Sequence, residues 1–582
     1  MSSTTKIEIP SIEEATSSIK PRTMLPISSS TGDNCLDTPD VTHKDKETRT
    51  LGDTMSTPME ISEDPKSLYL HGWKLGVVIA SLTLGTFLIA IDTTIIGVAI
   101  PKITSDFKDL DDIAWFGSIY LLMVTAFQPS FGSLYKFFNV KHGFILSITI
   151  FEVGSILCAA CPSPRVFILG RAIAGLGAAG VYQGALGIVG YTVVLEKRPL
   201  YFGVVVSSFA VSACIAPVIG GVLTDHVSWR WCFWINVPIG AVVLGVVIIF
   251  LNMRTQENAA LPFKTKLKYF DGVGTLTFIG AICCLLLALQ WGGQTLPWRS
   301  ARIIGLFIGF GLLTCFFVLW QAYMGDYAII PLRIFKQRST SMVMCLLFFV
   351  GIALTTLSYY LPVYFQSVRG LSATTSGVRM LALVLPEMTF LMLAGAVATK
   401  WGYYAPYIIA GTMICTVGCG LLTTITVDTP IAIWATFEVI IGVGFGGSLQ
   451  LPYSALQLAL SEADLATGNA VAVFATQLGG ALGLSISQTL LLTNLQTNIP
   501  HLVPSISPEA IMNTGAANLD LLTTDSAVLL EIRGAWAGAV RVVFIFVLAA
   551  SAMSVPFACF LEQLNIHAVS KERKSTLRED AP

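Results

Sequence analysis

The chain has 582 residues, 54% of them hydrophobic and only 12% charged, against about 25% charged residues in soluble proteins. That balance argues against a soluble protein and points to a polytopic membrane protein. The net charge of −1 gives no reason to expect a nucleic-acid partner.

Residues 1–71 are rich in Ser, Thr, Asp, Glu and Pro without apolar periodicity, and read as a disordered cytoplasmic tail. No signal peptide is recognisable at its start. Fourteen segments of the length and apolarity needed for spanning helices follow. They cover 74–101, 112–134, 143–161, 165–190, 201–223, 231–252, 272–290, 302–323, 341–366, 376–398, 405–424, 431–457, 467–493 and 536–561. With both ends inside, the cytoplasmic loops carry more cations (Lys136, Lys141, Lys197, Arg198, Arg333 and Lys400 among them) than the opposite loops. That is the sign the positive-inside rule requires.

Within the first span, Asp92 is an acid that is costly to place in a membrane, and it reads as a proton-titrating or cation-attracting carboxylate. An interfacial acid near the helix end is the bland reading. Glu152, in a helix with no other polar residue nearby, reads as structural. Gly170–Gly184 (GRAIAGLGAAGVYQG) opens with Arg171, a guanidinium that stays charged and must find partners in a protein interior or an aqueous cavity. The small residues after it let helices approach closely. Gly175-x-Gly177-x-x-Gly180 lacks the strand and βαβ unit of a nucleotide site, so helix packing is its meaning. Pro217, Gly220 and Gly221 permit a kink and tight packing in the fifth helix. The tryptophans of 224–240 suit a membrane interface.

The second half repeats the first. Shifted by 267 residues, Gly170–Gly184 meets Phe437–Leu451: Gly175 falls on Gly442, Gly177 on Gly444, Gln183 on Gln450 and Arg171 on Glu438. The loop beginning at Gly132 resembles the one beginning at Gly395. Parallel repeats of this kind are a transporter arrangement. The organisation is then an N-terminal six-helix half (72–254), a linker with two extra helices (255–340), a C-terminal six-helix half (341–562, with a long outside loop at about 494–535) and a cytoplasmic tail (563–582). Arg171 and Glu438 are expected to face the central cavity or the interface between halves, with a backbone-bonded packing acid as the bland reading of Glu438. Glu387, after Pro386, is a second proton-site candidate. Trp115, Tyr120, Gln128, Tyr182, Gln183, Tyr359, Gln366 and Gln450 are cavity candidates, because a pocket for an organic molecule is mostly apolar with a few polar groups. Many such residues serve instead in interfacial belts or helix packing.

All six histidines lie in tails, loops or segment ends, so a protonatable group in the membrane core should be a carboxylate. The twelve cysteines mostly fall in apolar segments and read as packing residues; Cys158-x-x-Cys161 has no second pair. No metal and no cofactor is expected. There is no P-loop, so the energy for transport should come from a gradient.

The segments Asp92-Thr-Thr-Ile-Ile-x-Val-Ala-x-Pro101, GRAIAGLGAAG at 170–180, APVIGG at 216–221, TDHVSWRWCFWINVPIG at 224–240, LALQWGG at 287–293 and YYLPVYFQSVRG at 359–370 resemble the fourteen-helix drug:proton antiporters of filamentous fungi, in the major facilitator superfamily. The resemblance covers about residues 72–562. It departs where the family has an aspartate and this chain has Lys136, where a glycine is replaced by Asn139, and where Ala216 replaces the glycine before Pro217. A gating salt bridge built on that aspartate is therefore not expected. The resemblance implies a role for Arg171 in proton coupling and for Asp92 in coupling or substrate entry. The fold class expected is an all-α polytopic membrane protein, not an enzyme, in which protonation of Asp92 or Glu387 biases an inward–outward equilibrium and Arg171 sets that carboxylate's pKa. The expected partners are a hydrophobic small molecule, protons and the lipid bilayer, with the chain a monomer in the plasma or the vacuolar membrane. The alternatives are an importer or vacuolar exchanger of polar solutes such as siderophores or amino acids, and a non-transporting receptor or integral enzyme, which would need a sensing domain or chemistry-bearing clusters.

Overall fold

A computed structural model describes residues 72–107, 113–251, 271–293, 296–325, 328–461, 464–503, 519, 523 and 525–579. The tail expected at 1–71 lies outside the described residues. Among the described residues, fourteen long helices lie at the fourteen expected positions: α1 (Trp73–Phe107), α2 (Ile113–Phe137), α3 (Val140–Ala160), α4 (Pro164–Thr192), α5 (Arg198–His226), α6 (Asn236–Phe250), α7 (Gly272–Trp291), α8 (Ala301–Met324), α9 (Arg338–Val363), α10 (Leu381–Trp401), α11 (Ala405–Leu422), α12 (Ile431–Ser448), α13 (Leu465–Leu502) and α14 (Ser526–Cys559). A last helix, α15, covers Ile566–Glu579.

Twelve of them are long and apolar enough to cross a membrane, thirteen if the bent α5 counts as one span. The exception is α2, whose Gln128, Ser130 and Ser133 are buried in the bundle and lower its hydropathy. The chain is a multi-pass membrane protein.

Helix starts follow from capping chemistry. Asn139 accepts from the Lys141 N–H at 2.9 Å and caps α3. Ser163 precedes α4 with Pro164 in its first turn, where a missing N–H costs nothing. Gly402, at φ 79°, closes α10 in the left-handed conformation that glycine adopts freely. The bend of 45° in α5 falls between Leu195–Ala213 and Val218–Thr224 and brackets Pro217, as expected of a helix-interior proline.

Several expected boundaries move. The loop placed at about 494–535 is helical at both edges, because α13 continues to Leu502 and α14 begins at Ser526. Polar residues such as Asn494 and Gln496 extend a helix into water without ending it. The twelfth span is broken: α12 stops at Ser448 and a short helix, Leu451–Ala459, restarts with Pro452 in its first turn.

Packing repeats between the halves. In the first, α1 lies on α5 and α6, α2 and α3 lie on α4, and α3 on α6; in the second, α9 lies on α13 and α14, α10 and α11 lie on α12, and α11 on α14. Each pairing has its counterpart eight helices later. Across the halves α5 meets α10 and α2 meets α13, while α7 and α8 pair with each other and α7 also touches α2. Asp271 anchors these two extra helices: it accepts from the Gly274 N–H at 2.7 Å, Trp320 Nε1 at 2.8 Å and Gln321 Nε2 at 2.7 Å.

Candidate functional site

The glycines of α4 set the geometry. At Gly175 a Cβ would lie 2.5 Å from the Tyr120 carbonyl of α2, and at Gly177 it would collide with the Phe151 backbone of α3. These close approaches draw α1–α3 around the buried start of α4, where Arg171 stands. Its Nη1 meets Asp92 Oδ2 at 2.5 Å, with the two residues 1% and 0% exposed. Its Nε donates to the Phe116 carbonyl at 3.1 Å. The guanidinium lies 4.4 Å from the Tyr120 ring centroid and 5.9 Å from that of Phe233. Asn236, at the start of α6, donates through Nδ2 to Asp92 Oδ1 at 3.4 Å and to Ser155 Oγ of α3 at 3.2 Å. The Tyr120 hydroxyl donates to the Ile89 carbonyl at 3.2 Å.

This is a salt bridge in a buried, aromatic-walled pocket. Its charges attract strongly there, and either one alone would be costly. Protonating Asp92 would remove one charge and leave the Arg171 guanidinium without its counter-ion. These contacts of Arg171 lie within the first half: the guanidinium faces α1, α2 and the turn before α6, and the central seam runs elsewhere.

The other expected residues disperse. Glu438 is fully buried on α12, and neither carboxylate oxygen has a hydrogen-bond partner among the described residues. The Arg379 guanidinium lies over the rings of Trp434 and Phe365 at 5.2 and 5.5 Å. Glu387 is buried on α10, where its backbone N would lie 3.1 Å from a Cβ at Gly442. Gln128 donates to Gln183 at 3.5 Å, and Gln183 donates across the halves to the Ala466 carbonyl at 2.6 Å. Gln450 turns instead to the Leu391 carbonyl of α10 at 3.3 Å. Tyr182 is half-buried against Phe209 and Trp115 packs edge-on against Trp291. Gln366 sits on the turn after α9, and Tyr359, in α9, is 58% exposed and packs edge-on against Tyr360. Of the eight cavity candidates, Tyr120 walls the ion-pair pocket, and Gln128 and Gln183 line the seam.

Gly132 meets Ala470 of α13 with a would-be Cβ at 2.5 Å, so it belongs to the seam. Gly220 packs on Ile95, whereas Gly221 has open space beside it. Pro217 lies in α5, with its side chain outside the described residues.

Three features escaped the sequence reading. Asn236 and Ser155 complete the ion-pair site, and they overturn the reading of Glu152 as an acid with no polar neighbour, since Ser155 is one turn along α3. The seam also carries its own ion pairs. Lys136, in place of the family's aspartate, lies 3.4 Å from Asp464, which Arg333 approaches to 3.0 Å and whose Oδ2 accepts from the Ser461 hydroxyl. A salt bridge is present there with its polarity reversed. Beside it Arg198 donates to Gln457 at 3.2 Å, and α15 spans the same face: Arg573 donates to the Leu458 and Leu460 carbonyls, and Ser570 donates to Glu196 at 2.6 Å.

The Major Facilitator Superfamily profile matches residues 82–484. The chain is 42% identical over 470 residues to the MFS-type efflux pump MFS1 of Arthroderma benhamiae, covering 80% of this chain and 88% of that one. It is 42% identical over 457 residues to the aspyridones efflux protein of Neocamarosporium betae, covering 78% and 81%. Among solved structures, the proton:xylose symporter XylE aligns with a TM-score of 0.54 over 85% of this chain and 99% of that one, at 14% identity. That last likeness is one of fold. The chain belongs to the major facilitator superfamily.

Proposed function

We propose that this chain is a proton-coupled antiporter that exports a hydrophobic small molecule, such as a fungal secondary metabolite, mycotoxin or drug, across the plasma membrane as a monomer. The observation that carries this reading is the buried Asp92–Arg171 pair. It is stable only while both members are charged, so a proton arriving at Asp92 leaves Arg171 without its partner and alters the α1–α4 contact. Glu387 and Glu438 are the acids of the second half available for the same cycle. The 42% identity to chains named as efflux pumps supports export over import.

The two halves then rock about the seam where α5 meets α10 and α2 meets α13. The Lys136–Asp464–Arg333 cluster, on the face expected to be cytoplasmic, holds that end closed and opens when the halves part. The test is reconstitution of the full chain in liposomes with hydrophobic fluorescent dyes as probes. An imposed proton gradient should drive dye movement against the direction of proton flow, and Asp92→Asn should abolish it. Gradient-independent dye flux in the wild type would overturn the coupling.

A further inference from the structure

Glu152 of α3 is only 8% exposed, and neither carboxylate oxygen has a hydrogen-bond partner among the described residues. It lies against Gly240 of α6, where its Oε1 would collide with any Cβ. One turn away, the same helix pair brings Ser155 to Asn236, whose Oδ1 also lacks a donor. Contact of residue 152 with 240 and of 155 with 236 is an antiparallel register. At 1.5 Å of rise per residue, Glu152 is therefore about 4.5 Å along the helix from the Asn236–Asp92–Arg171 chain.

The Asn236 amide is spent on Asp92 and Ser155, which leaves the Ser155 hydroxyl as the remaining donor beside Glu152. Ionised, Glu152 would be an uncompensated buried charge; neutral, it carries none and adds an O–H donor. Asp92 of α1 acts on it through space, and Asp92 is in turn closed on Arg171 of α4, while α6 contributes no charged or titratable group.

We propose that Glu152 is a second proton-binding residue of the first half, neutral while the Asp92–Arg171 pair is closed and ionised when it opens. Asp92 gains a proton and releases the guanidinium; the freed cation then favours the anionic form of Glu152, which gives up its own proton. One proton is bound and one released, and the buried cluster holds one cation and one anion in both states. The part of this exchange in transport rests on the coupling proposed above, but the protonation of Glu152 is testable without it.

The experiment is infrared spectroscopy of the purified full chain in liposomes at neutral pH. The wild-type minus Glu152→Gln difference should contain the C=O stretch of a protonated carboxyl; carboxylate stretches in its place would overturn the proposal. With Asp92→Asn as the background, the same subtraction should yield carboxylate stretches, and a persisting protonated band there would overturn the exchange. If Glu152→Gln does not assemble, Glu152→Asp should shift the band, and an unchanged spectrum counts against us. Dye flux in wild-type liposomes that ignores a proton gradient sinks the coupling and leaves these spectra as they are.

Discussion

The two halves share a scaffold and differ in charge. Gly175 packs on the Tyr120 carbonyl and Gly177 on Phe151; their counterparts Gly442 and Gly444 pack on the Leu383 carbonyl and on Cys415. Four residues before each first glycine stands a buried ionisable group, Arg171 in one half and Glu438 in the other. Arg171 is closed on Asp92, whereas Glu438 has no hydrogen-bond partner among the described residues. Under the same shift of 267 residues Asp92 falls on the exposed Tyr359, and Tyr120 on the buried Glu387. Backbone approach is therefore what the repeat preserves, because a Cβ at those glycines would part the helices. The polar groups hung on that frame are free to diverge, and the first half holds a buried salt bridge at the position where the second half has Glu438.

The largest expected effect tests that asymmetry directly. Arg171→Met leaves Asp92 buried without its counter-ion, held only by the long Asn236 hydrogen bond among the described residues, and should lower stability by about 3–5 kcal/mol, with recovery of most of the loss in the Asp92→Leu/Arg171→Met double variant. Glu438→Gln removes an unpartnered acid and should change stability by less than about 1 kcal/mol. Thermal unfolding in detergent reads both; equal losses would erase the distinction between the halves. Arg171→Met should also abolish proton-driven dye flux while the chain still inserts, and normal flux would remove Arg171 from coupling.

Next come the glycines, where the halves should behave alike. Gly177→Leu and Gly444→Leu both force a side chain into neighbouring backbone and should each cost about 1–3 kcal/mol or more. Gly221→Ala, with nothing within 4 Å, should stay within about 0.5 kcal/mol of wild type in the same unfolding assay. A large loss at Gly444 with none at Gly177 would mean the two interfaces are not equivalent.

An effect no larger than that is expected at the seam. Asp464→Asn withdraws the shared anion from the buried Lys136 and the half-exposed Arg333 and should weaken closure by about 1–3 kcal/mol. Labelling of cysteines placed along α2 and α13 should then increase at that end, and charge exchange (Lys136→Asp with Asp464→Lys) should restore protection. Unchanged labelling in Asp464→Asn would deny the cluster a gating role. The lesson about sequence lies here too. Arg171 and Asp92 were legible because a charge in an apolar run must have a partner, and the glycine repeat was legible because its spacing survives in both halves. Lys136 and Asp464 stand 328 positions apart, on opposite halves, and no local pattern links them. Asn236 was hidden among tryptophans that read as an interfacial belt, and the ends of α13 and α14 were misplaced because polar residues carry a helix on past the apolar span.

The smallest effect sits just beyond the ion-pair site, at the end of α1, where Asp106 accepts from Trp229 Nε1 at 3.1 Å and pairs with Arg230 at 3.2 Å. The Trp229 and Arg230 hydrogen bonds hold its carboxyl below the usual carboxylate range. A carboxyl whose folded value is depressed adds stability above its unfolded value, and that stability is lost as pH falls through the folded value. Asp106 should thus stabilise the loop end of α1 at neutral pH and cease to do so on strong acidification. The group is exposed and screened, so the contribution should be no more than a few tenths of a kcal/mol. Asp106→Asn should flatten that acid limb of the unfolding-temperature profile without altering the plateau at higher pH by more than this amount. A shift as large as that of Arg171→Met would mean that Asp106 supports the buried pair through α1, and that the buried pocket is not insulated from its exposed rim.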